Sequence, residues 1–327
     1  MSQPWSESVN KTGVTPPKTV ANQVVATGVH QQSIEEINNL LDNMQPVDKI
    51  NKKPDVLVYG DTNAGKTFFS MTCPEPIFVI DTERRADKTK KYHYPNKDIR
   101  VFNPVVIKTN YVDDEDAIDY ASSIDNITNF LVAMNQKIQE GKIKEGTLVV
   151  DSLTDIWKWV QEWAMVRLAK KGRVDKDLLK IKNQFDWGVP NGKNARLMDL
   201  FKNVTSQGLV FVGTSREQHT PEYIEVKALA GLPTDKIRVQ KDVPFGFGSI
   251  VNLRMQRKKM PEGFKNSYFA DIIKLDTLEY NGNAIENFNY EKLLNLIAEL
   301  GTKMTAQNAV KTVSAEKVAE VLEGQNK

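Results

Sequence analysis

The sequence predicts an α/β fold: a mostly parallel β-sheet flanked by helices, with antiparallel strands added late in the chain. Three observations lead to it. Short apolar runs alternate with segments of helical spacing between residues 55 and 213, which is typical of parallel strands covered on both faces. A glycine-containing turn, G-D-T-N-A-G-K-T at residues 60–67, joins the first apolar run to a helical segment. Two later apolar runs, 249–256 and 268–275, read as antiparallel strands.

The elements follow from the spacing of apolar residues. The helix over 118–138 has apolar side chains every three or four positions, which is the period of one helix face. The helix over 153–168 carries Trp157, Trp159 and Trp163, which we interpret as packing residues rather than as a binding site. The remaining predicted strands are 55–59, 76–81, 147–151 and 209–213, and the remaining predicted helices are 197–204, ended by Gly208, and 293–300.

The chain divides into four parts. Residues 1–32 are polar, lack periodicity and are predicted to form a disordered arm. A capping box opens a short N-terminal helix over 33–46, which either packs on its own domain or docks on a neighbouring subunit. The main domain covers 47–300, and 301–327 form a tail with one weak amphipathic helix.

Composition excludes several classes of protein. The 327 residues are 40% hydrophobic and 26% charged, an ordinary soluble balance. No apolar stretch is long enough to span a membrane and no signal pattern opens the chain, so we expect a cytoplasmic location and no membrane partner. The single Cys73 excludes disulfides within the chain and cysteine-based zinc sites. His30, His93 and His219 are far apart, so no metal cluster is proposed, and the net charge of +2 favours no partner class.

Residues 60–67 form a complete G-x-x-x-x-G-K-[ST] phosphate-binding loop between a strand and a helix. Its backbone N–H groups would surround a β-phosphate, Lys66 would reach the β- and γ-phosphates, and the Thr67 hydroxyl would ligate Mg²⁺. We expect Lys66 to be exposed when no nucleotide is bound. The alternative is a glycine turn with a solvent lysine. The predicted cofactors are ATP and Mg²⁺, and the predicted binding residues are Gly60, Asp61, Thr62, Asn63, Ala64, Gly65, Lys66, Thr67 and Phe68.

A second carboxylate is needed for the metal, and Asp151 ends a buried strand close to where Lys66 must lie. An aspartate at that position holds Mg²⁺, usually through water. The alternative is that Asp151 or Ser152 caps the following helix.

The segment Ile80-Asp81-Thr82-Glu83 forms the end of the second predicted strand and the two residues that follow it. A strand that ends in such an acidic pair just after the P-loop helix resembles the RecA-type recombinase ATPases. The resemblance implies that Glu83 activates water for hydrolysis. Most AAA+ and helicase motors place their glutamate beside the aspartate of the second motif, where this chain has Ser152.

The resemblance covers roughly residues 50–280. Segments of the RecA-like ATP-binding proteins of tailed phages, which include single-strand-annealing recombinases, resemble Val149–Thr154 and Phe185–Gly188. Later segments of those proteins resemble Ala230–Pro233 and Val251–Arg254.

This resemblance implies a RecA-like P-loop NTPase core and a homo-oligomeric ring or filament. It also implies single-stranded DNA and a single-strand-binding protein as partners, and a host cytoplasm if the protein is viral.

Two further roles follow from the same resemblance. RecA has a glutamine as γ-phosphate sensor after its next strand; this chain has Thr214-Ser-Arg216, so Ser215 and Arg216 are the candidates to replace it. A neighbouring subunit often supplies a cation to the transferring phosphoryl group. Arg254 is our first choice for that cation and Arg257 our second, and a plain solvated hairpin tip is the alternative.

Two long connections are candidate nucleic-acid contacts. Between Arg167 and Lys182 seven basic residues meet two acidic ones, and Phe185 and Trp187 follow; cations with exposed aromatic rings suit single-stranded nucleic acid. The alternative is a solvated helix face with a buried Trp187. The connection from 216 to 242 holds five basic and five acidic residues, so only its position suggests a DNA loop.

The leading functional hypothesis is a Mg²⁺-dependent RecA-like ATPase that acts on single-stranded DNA in recombination or annealing. One alternative is a ring-forming motor for helicase, packaging or remodelling work. Another is a non-motor kinase or nucleotide switch, although the arginine-rich lid typical of small kinases has no counterpart near 167–193, where lysine dominates.

Overall fold

The computed structural model describes residues 53–108, 118–175, 180–218, 236–261, 263–275, 280, 282 and 284–302. The predicted arm, the N-terminal helix, the 230–233 segment and the tail beyond 302 lie outside the described residues. No helix within the described ranges is long and apolar enough to cross a membrane.

One nine-stranded sheet organises the domain, in the order β11-β10-β9-β1-β7-β4-β2-β3, with β8 paired to β7. The strands from β9 to β3 run parallel, whereas β10, β11 and β8 are antiparallel to their neighbours. A separate pair, β5 and β6, forms a small hairpin. The strands are β1 Asp55–Gly60, β2 Ile77–Asp81, β3 Ile99–Phe102, β4 Thr147–Asp151, β5 Val174–Asp175, β6 Lys180–Ile181, β7 Val210–Gln218, β8 Lys236–Ile237, β9 Ser249–Met260, β10 Gly263–Leu275 and β11 Ile285–Glu286.

The mostly parallel sheet with late antiparallel strands confirms the predicted fold class. The two predicted late strands are antiparallel to each other, as β9 and β10, and the first residues of β9 also pair in parallel with β1. Strand β9 therefore belongs to both the parallel and the antiparallel part of the sheet.

Helices cover both faces of the sheet. Along β1, Val56 and Val58 join a core with α1 and α6, whereas Leu57 and Tyr59 join a core with α3, α4 and α5. Burial on both faces explains why the strand is continuously apolar. The helices are α1 Lys66–Ser70, α2 Ala86–His93, α3 Tyr120–Gln139, α4 Leu153–Ala169, α5 Gly188–Thr205 and α6 over residues 290–302.

The apolar positions predicted on these helices are packing positions. On α3, Ile124, Ile127 and Leu131 are fully buried. On α4, Trp159 is buried and Trp157 and Trp163 pack partly buried against the same core. The interpretation of the tryptophans as packing residues is confirmed.

Helix α5 begins nine residues earlier than predicted. Pro190, Asn191 and Gly192 read as a turn, yet they lie within the first turns of α5. A proline is tolerated in the first turn of a helix because its missing N–H has no intrahelical partner there. The connection after α4 therefore ends at Trp187 rather than at Lys193.

The parallel strands bring their carboxyl ends to one edge of the sheet. Asp81 at the end of β2 lies in register with Asp151 at the end of β4, and Gly60 at the end of β1 lies in register with Arg216 of β7. The loops that carry the predicted functional residues meet at this edge, as expected of open α/β sheets.

Candidate nucleotide-binding site

The phosphate-binding loop turns sharply as it leaves β1. Gly60 has φ of +150°, and a Cβ atom there would lie 2.1 Å from the carbonyl oxygen of Leu253. Only glycine fits that approach without a shift of backbone. The loop then closes through a bond from the Ala64 N–H to the Asp61 carbonyl at 3.2 Å, and α1 begins at Lys66.

Lys66 is the buried cation of the loop. Its side chain is 9% exposed, and Nζ donates to the carbonyl oxygens of Gly60 at 2.9 Å and Asp61 at 2.8 Å. Burial lowers the pKa of Lys66, and the nearby Asp151 and Glu83 carboxylates oppose that shift. The expectation of an exposed lysine was wrong, because the carbonyls of the loop satisfy the ammonium group.

Thr67 and Asp151 meet directly. The Thr67 hydroxyl donates to Asp151 Oδ2 at 2.6 Å, and the Thr214 hydroxyl donates to Oδ1. Asp151 is 2% exposed, and burial raises its pKa to about 6 while the two hydroxyl donors lower it. Ser152 is the N-cap of α4, where its hydroxyl accepts from the Asp155 N–H.

This pair fits a magnesium ion. Mg²⁺ prefers oxygen ligands and takes one or two carboxylates together with substrate phosphates. Thr67 and Asp151 supply a hydroxyl and a carboxylate at the start of the P-loop helix. Phosphate oxygens of a nucleotide would complete the coordination of these two ligands. Within the described residues no group of three His, Cys, Asp or Glu side chains could hold a metal ion.

Glu83 lies in the loop between β2 and α2. Asp81 Oδ2 accepts the Ala86 N–H at 2.9 Å and so holds the start of α2. Glu83 Oε1 accepts from Arg216 Nη2 at 2.9 Å and from Nε at 3.1 Å. Glu83 follows β2 and Arg216 lies in β7, and nothing in the sequence indicated that they would pair.

A second carboxylate shares the same arginine. Asp155 lies 3.1 Å from Arg216 Nη2 through Oδ1, and its Oδ2 accepts from the Thr82 hydroxyl at 3.0 Å. Thr82 also donates to the Asp151 carbonyl at 3.1 Å. Arg216 thus joins Glu83 to a hydrogen-bonded network at the end of β4. In the sequence, only the position of Asp155, four residues after Asp151, indicated that a second carboxylate would lie at the end of β4.

The phosphate-binding loop, Glu83, Asp151 and Arg216 line one cleft of about 1390 Å³. Residues 62–68 form its floor, and Glu83, Asp151 and Arg216 form one wall. The other wall comes from β9 and β10. The cleft is large enough for a nucleoside triphosphate by the usual scale of ligand pockets.

Comparison with known families decides the class. Residues 52–244 match a family model described as an AAA domain, which is more than half of the chain. The chain belongs to this AAA domain family. No curated protein matches it. Membership supports a P-loop ATPase, and the matched AAA domain segment contains the phosphate-binding loop, Glu83, Asp151 and Arg216.

The two candidate arginines of β9 lie outside the AAA domain match and on opposite faces of the strand. Arg254 Nη2 pairs with Asp271 Oδ1 at 2.8 Å. Arg257 lines the cleft together with Met255, as strand alternation requires. Of these two arginines, Arg257 is the one that lines the cleft of its own chain, and a cation supplied by a neighbouring subunit stays a prediction.

The described part of the basic connection after α4 has regular structure. It contains the antiparallel β5–β6 pair and a 3₁₀ turn, Gln184–Trp187. Arg173 Nη1 pairs with Asp186 Oδ1 at 2.8 Å, so Arg173 has a structural partner. Phe185 is 89% exposed and Trp187 is 38% exposed, so the alternative of a buried Trp187 is wrong. Most of the second connection, residues 219–235, lies outside the described residues.

Proposed function

We propose that this AAA domain protein hydrolyses ATP with Mg²⁺. One observation carries the proposal: the Thr67 hydroxyl and the Asp151 carboxylate meet at 2.6 Å beside the phosphate-binding loop, on the cleft that Glu83 also lines. Thr67 and Asp151 would hold the ion, and Mg²⁺ would neutralise charge on the phosphate oxygens. Lys66 would exchange its loop carbonyls for phosphate oxygens.

In this mechanism Glu83 accepts a proton from the attacking water. The water oxygen bonds to the γ-phosphorus, and the bond from that phosphorus to the β,γ-bridging oxygen breaks. ADP and inorganic phosphate leave, and Glu83 gives its proton to the departing phosphate or to solvent. Arg216 supports the step because it fixes the Glu83 carboxylate through two N–H donors. Water activation of this kind contributes about 10²- to 10⁴-fold to a rate.

The ring-motor alternative has one specific observation in its favour. Asp155 follows β4 and reaches the same cation as Glu83, so it could activate water in place of Glu83. Three contacts argue for a supporting role instead. Asp155 accepts from Thr82 at 3.0 Å and lies 3.1 Å and 3.3 Å from Arg216 Nη2 through its two oxygens, so both oxygens already have donors.

We further propose that the protein acts on single-stranded DNA in recombination or annealing, as a homo-oligomeric ring or filament that works with a single-strand-binding protein. The RecA-like and phage resemblance of 50–280 supports this. The connection after α4 supports it as well, since Lys170, Lys171 and the ring of Phe185 are exposed there. Phosphate contacts and stacked bases need such groups.

The test is steady-state ATP turnover with Mg²⁺, alone and with single-stranded or duplex oligonucleotides of one length. The proposal expects basal turnover that rises with single strands more than with duplex. Turnover that no nucleic acid changes would contradict the DNA role and leave the ATPase role. ATP binding without turnover in every mixture would favour a nucleotide switch.

A further inference from the structure

We propose that the β9–β10 ribbon binds single-stranded nucleic acid. The ribbon is defined as residues 255–260 of β9 with 263–268 of β10. The inference rests on the proposed action on single strands and places a contact at a surface that neither the family match nor the basic connection after α4 includes.

The ribbon extends beyond the rest of the sheet. The pairing of β9 with β1 ends at Asn252, whereas its pairing with β10 continues to Met260. On the outer side, β11 pairs only with residues 269 and 270. From residue 255 onwards the two strands have no third strand beside them in the described sheet, and every described residue of the ribbon except Ser267 is exposed.

The ribbon is strongly cationic. The sequence from 255 to 268 contains four basic residues and one acidic residue, Glu262. Lys258 lies directly opposite Lys265 in the register. Like charges directly opposite each other destabilise a two-stranded pairing, so this pair lowers the stability of the ribbon unless an anion covers it.

The anion cannot be the nucleotide of the same chain. Met255, Arg257, Asn266 and Tyr268 line the nucleotide cleft. Side chains alternate between the faces of a strand, so the Lys258–Lys265 pair lies on the other face. The neighbouring cross-strand pairs on that face, Gln256 with Ser267 and Met260 with Gly263, carry no charge.

An aromatic ring at the end of the ribbon favours nucleic acid as the anion. Phe264 is 61% exposed and lies opposite Lys259, on the face of the ribbon that carries Arg257, whose guanidinium lies 4.1 Å from the ring centroid. A single strand that crosses the end of the ribbon would meet the Lys258–Lys265 pair on one face and this ring on the other, and cations together with an exposed ring are the combination that binds single strands.

Lys258→Glu gives the sharpest test, because it replaces the like-charged pair by an oppositely charged one. A purely structural ribbon would only gain stability. If the ribbon binds nucleic acid, we expect Lys258→Glu to melt at the parent's temperature or higher. Its affinity for single-stranded DNA or RNA oligonucleotides should fall about 5-fold at 0.1 M salt. The double variant Lys258→Glu/Lys265→Glu should fall about 25-fold, with a salt slope smaller by about 1.4, since each phosphate contact contributes about 0.7.

Two further variants complete the design. Phe264→Ala should lower affinity about 5- to 150-fold with an unchanged salt slope, because stacking is not ionic. Lys137→Glu/Lys144→Glu makes the same change of charge at the opposite edge of the sheet, before β4 begins, and should bind like the parent. DNA-free ATP turnover should be unchanged in the charge variants.

The possible results separate the proposals. If only the ribbon variants bind more weakly, the ribbon is the binding surface, and the DNA and RNA oligonucleotides show which nucleic acid is preferred. If the ribbon variants bind as tightly as the parent, the ribbon is not the site, but the proposed action on DNA stands. If the parent itself binds no single strand, both proposals are wrong. Loss of self-association in sedimentation, with parental affinity per protomer, would assign the ribbon to a subunit contact instead.

Discussion

Arg216 donates two hydrogen bonds to one oxygen of the Glu83 carboxylate, from Nη2 at 2.9 Å and from Nε at 3.1 Å. The residues are 133 positions apart in the sequence and come from the ends of β2 and β7, with β4 between them. The contact joins the proposed water-activating group to one of the two candidates for a γ-phosphate sensor.

Arg216→Ala should lower kcat for ATP hydrolysis by roughly 10²-fold, because a misplaced Glu83 loses its alignment with water. Arg216→Lys should recover part of the rate, since one donor remains. Steady-state kinetics that separate kcat from KM provide the measurement. Arg100→Ala, which removes an exposed ion pair with Asp98 on the edge strand, is the control. Parental kcat in Arg216→Ala would exclude a positioning role.

Lys66→Ala should abolish ATP binding while the protein still folds, because the side chain supplies the charge for the phosphates. Lys97→Ala is a matched control: Lys97 Nζ also donates to two backbone carbonyls, those of Met71 and Cys73, at 2.9 and 3.1 Å. Calorimetric titration with ATP measures the difference. Equal ATP affinity in Lys66→Ala and the parent would exclude the phosphate-binding assignment.

Asp151→Asn should stabilise the protein at pH 7.5 without Mg²⁺ and nucleotide. Burial raises the Asp151 pKa from 3.8 to about 6. The folded state therefore holds its proton more tightly than the unfolded state, and the free energy of unfolding falls as pH rises through that window. The cost above pH 6 is on the order of 3 kcal/mol at 1.36 kcal/mol per pKa unit.

Denaturant unfolding at two pH values checks this sign. The advantage of Asp151→Asn should shrink by about half at pH 5, where much of the parent's Asp151 is already protonated in the folded state. Added Mg²⁺ and ATP should reverse the order, because only the parent gains stability from binding. An advantage that does not change between pH 5 and pH 7.5 would contradict the raised pKa.

Gly60→Ala should lower the free energy of unfolding by about 3 kcal/mol or more, through a strained φ and contact with the Leu253 carbonyl. Gly172→Ala separates the two causes. Gly172 also has a positive φ, of +67°, but its Cβ would meet nothing within 4 Å, so its loss should be about 1–2 kcal/mol. Equal losses in the two variants would show that the close approach does not matter.

Local signals predicted most of the fold. The four predicted parallel strands of the core are buried on both faces, so their apolar runs were unambiguous. The phosphate-binding loop was recognised from the fixed spacing of Gly60, Gly65, Lys66 and Thr67. Helix α2 was missed because Ala86 is its only buried residue, and α5 was shortened because Pro190 and Gly192 lie in its first turns.

The missed parts of the site depend on contacts between distant residues. The Arg216–Glu83 and Arg173–Asp186 pairs follow from strand order and helix packing, which single positions do not encode. The burial of Lys66 depends on how closely the loop carbonyls turn towards Nζ. Which of Arg254 and Arg257 lines the cleft depends on which face of β9 meets it. That face is set by the pairing register of β9 with β10.

Glu83 carries the proposed activation of water, and ATP turnover of Glu83→Gln beside Asp155→Asn tests that role. Nucleotide affinity is measured on the same samples to show that both variants still bind. We expect Glu83→Gln to bind ATP normally and to lose about 10²- to 10⁴-fold in turnover, whereas Asp155→Asn should lose about 10-fold through its contact with Arg216. Parental turnover in Glu83→Gln together with an inactive Asp155→Asn would contradict that role.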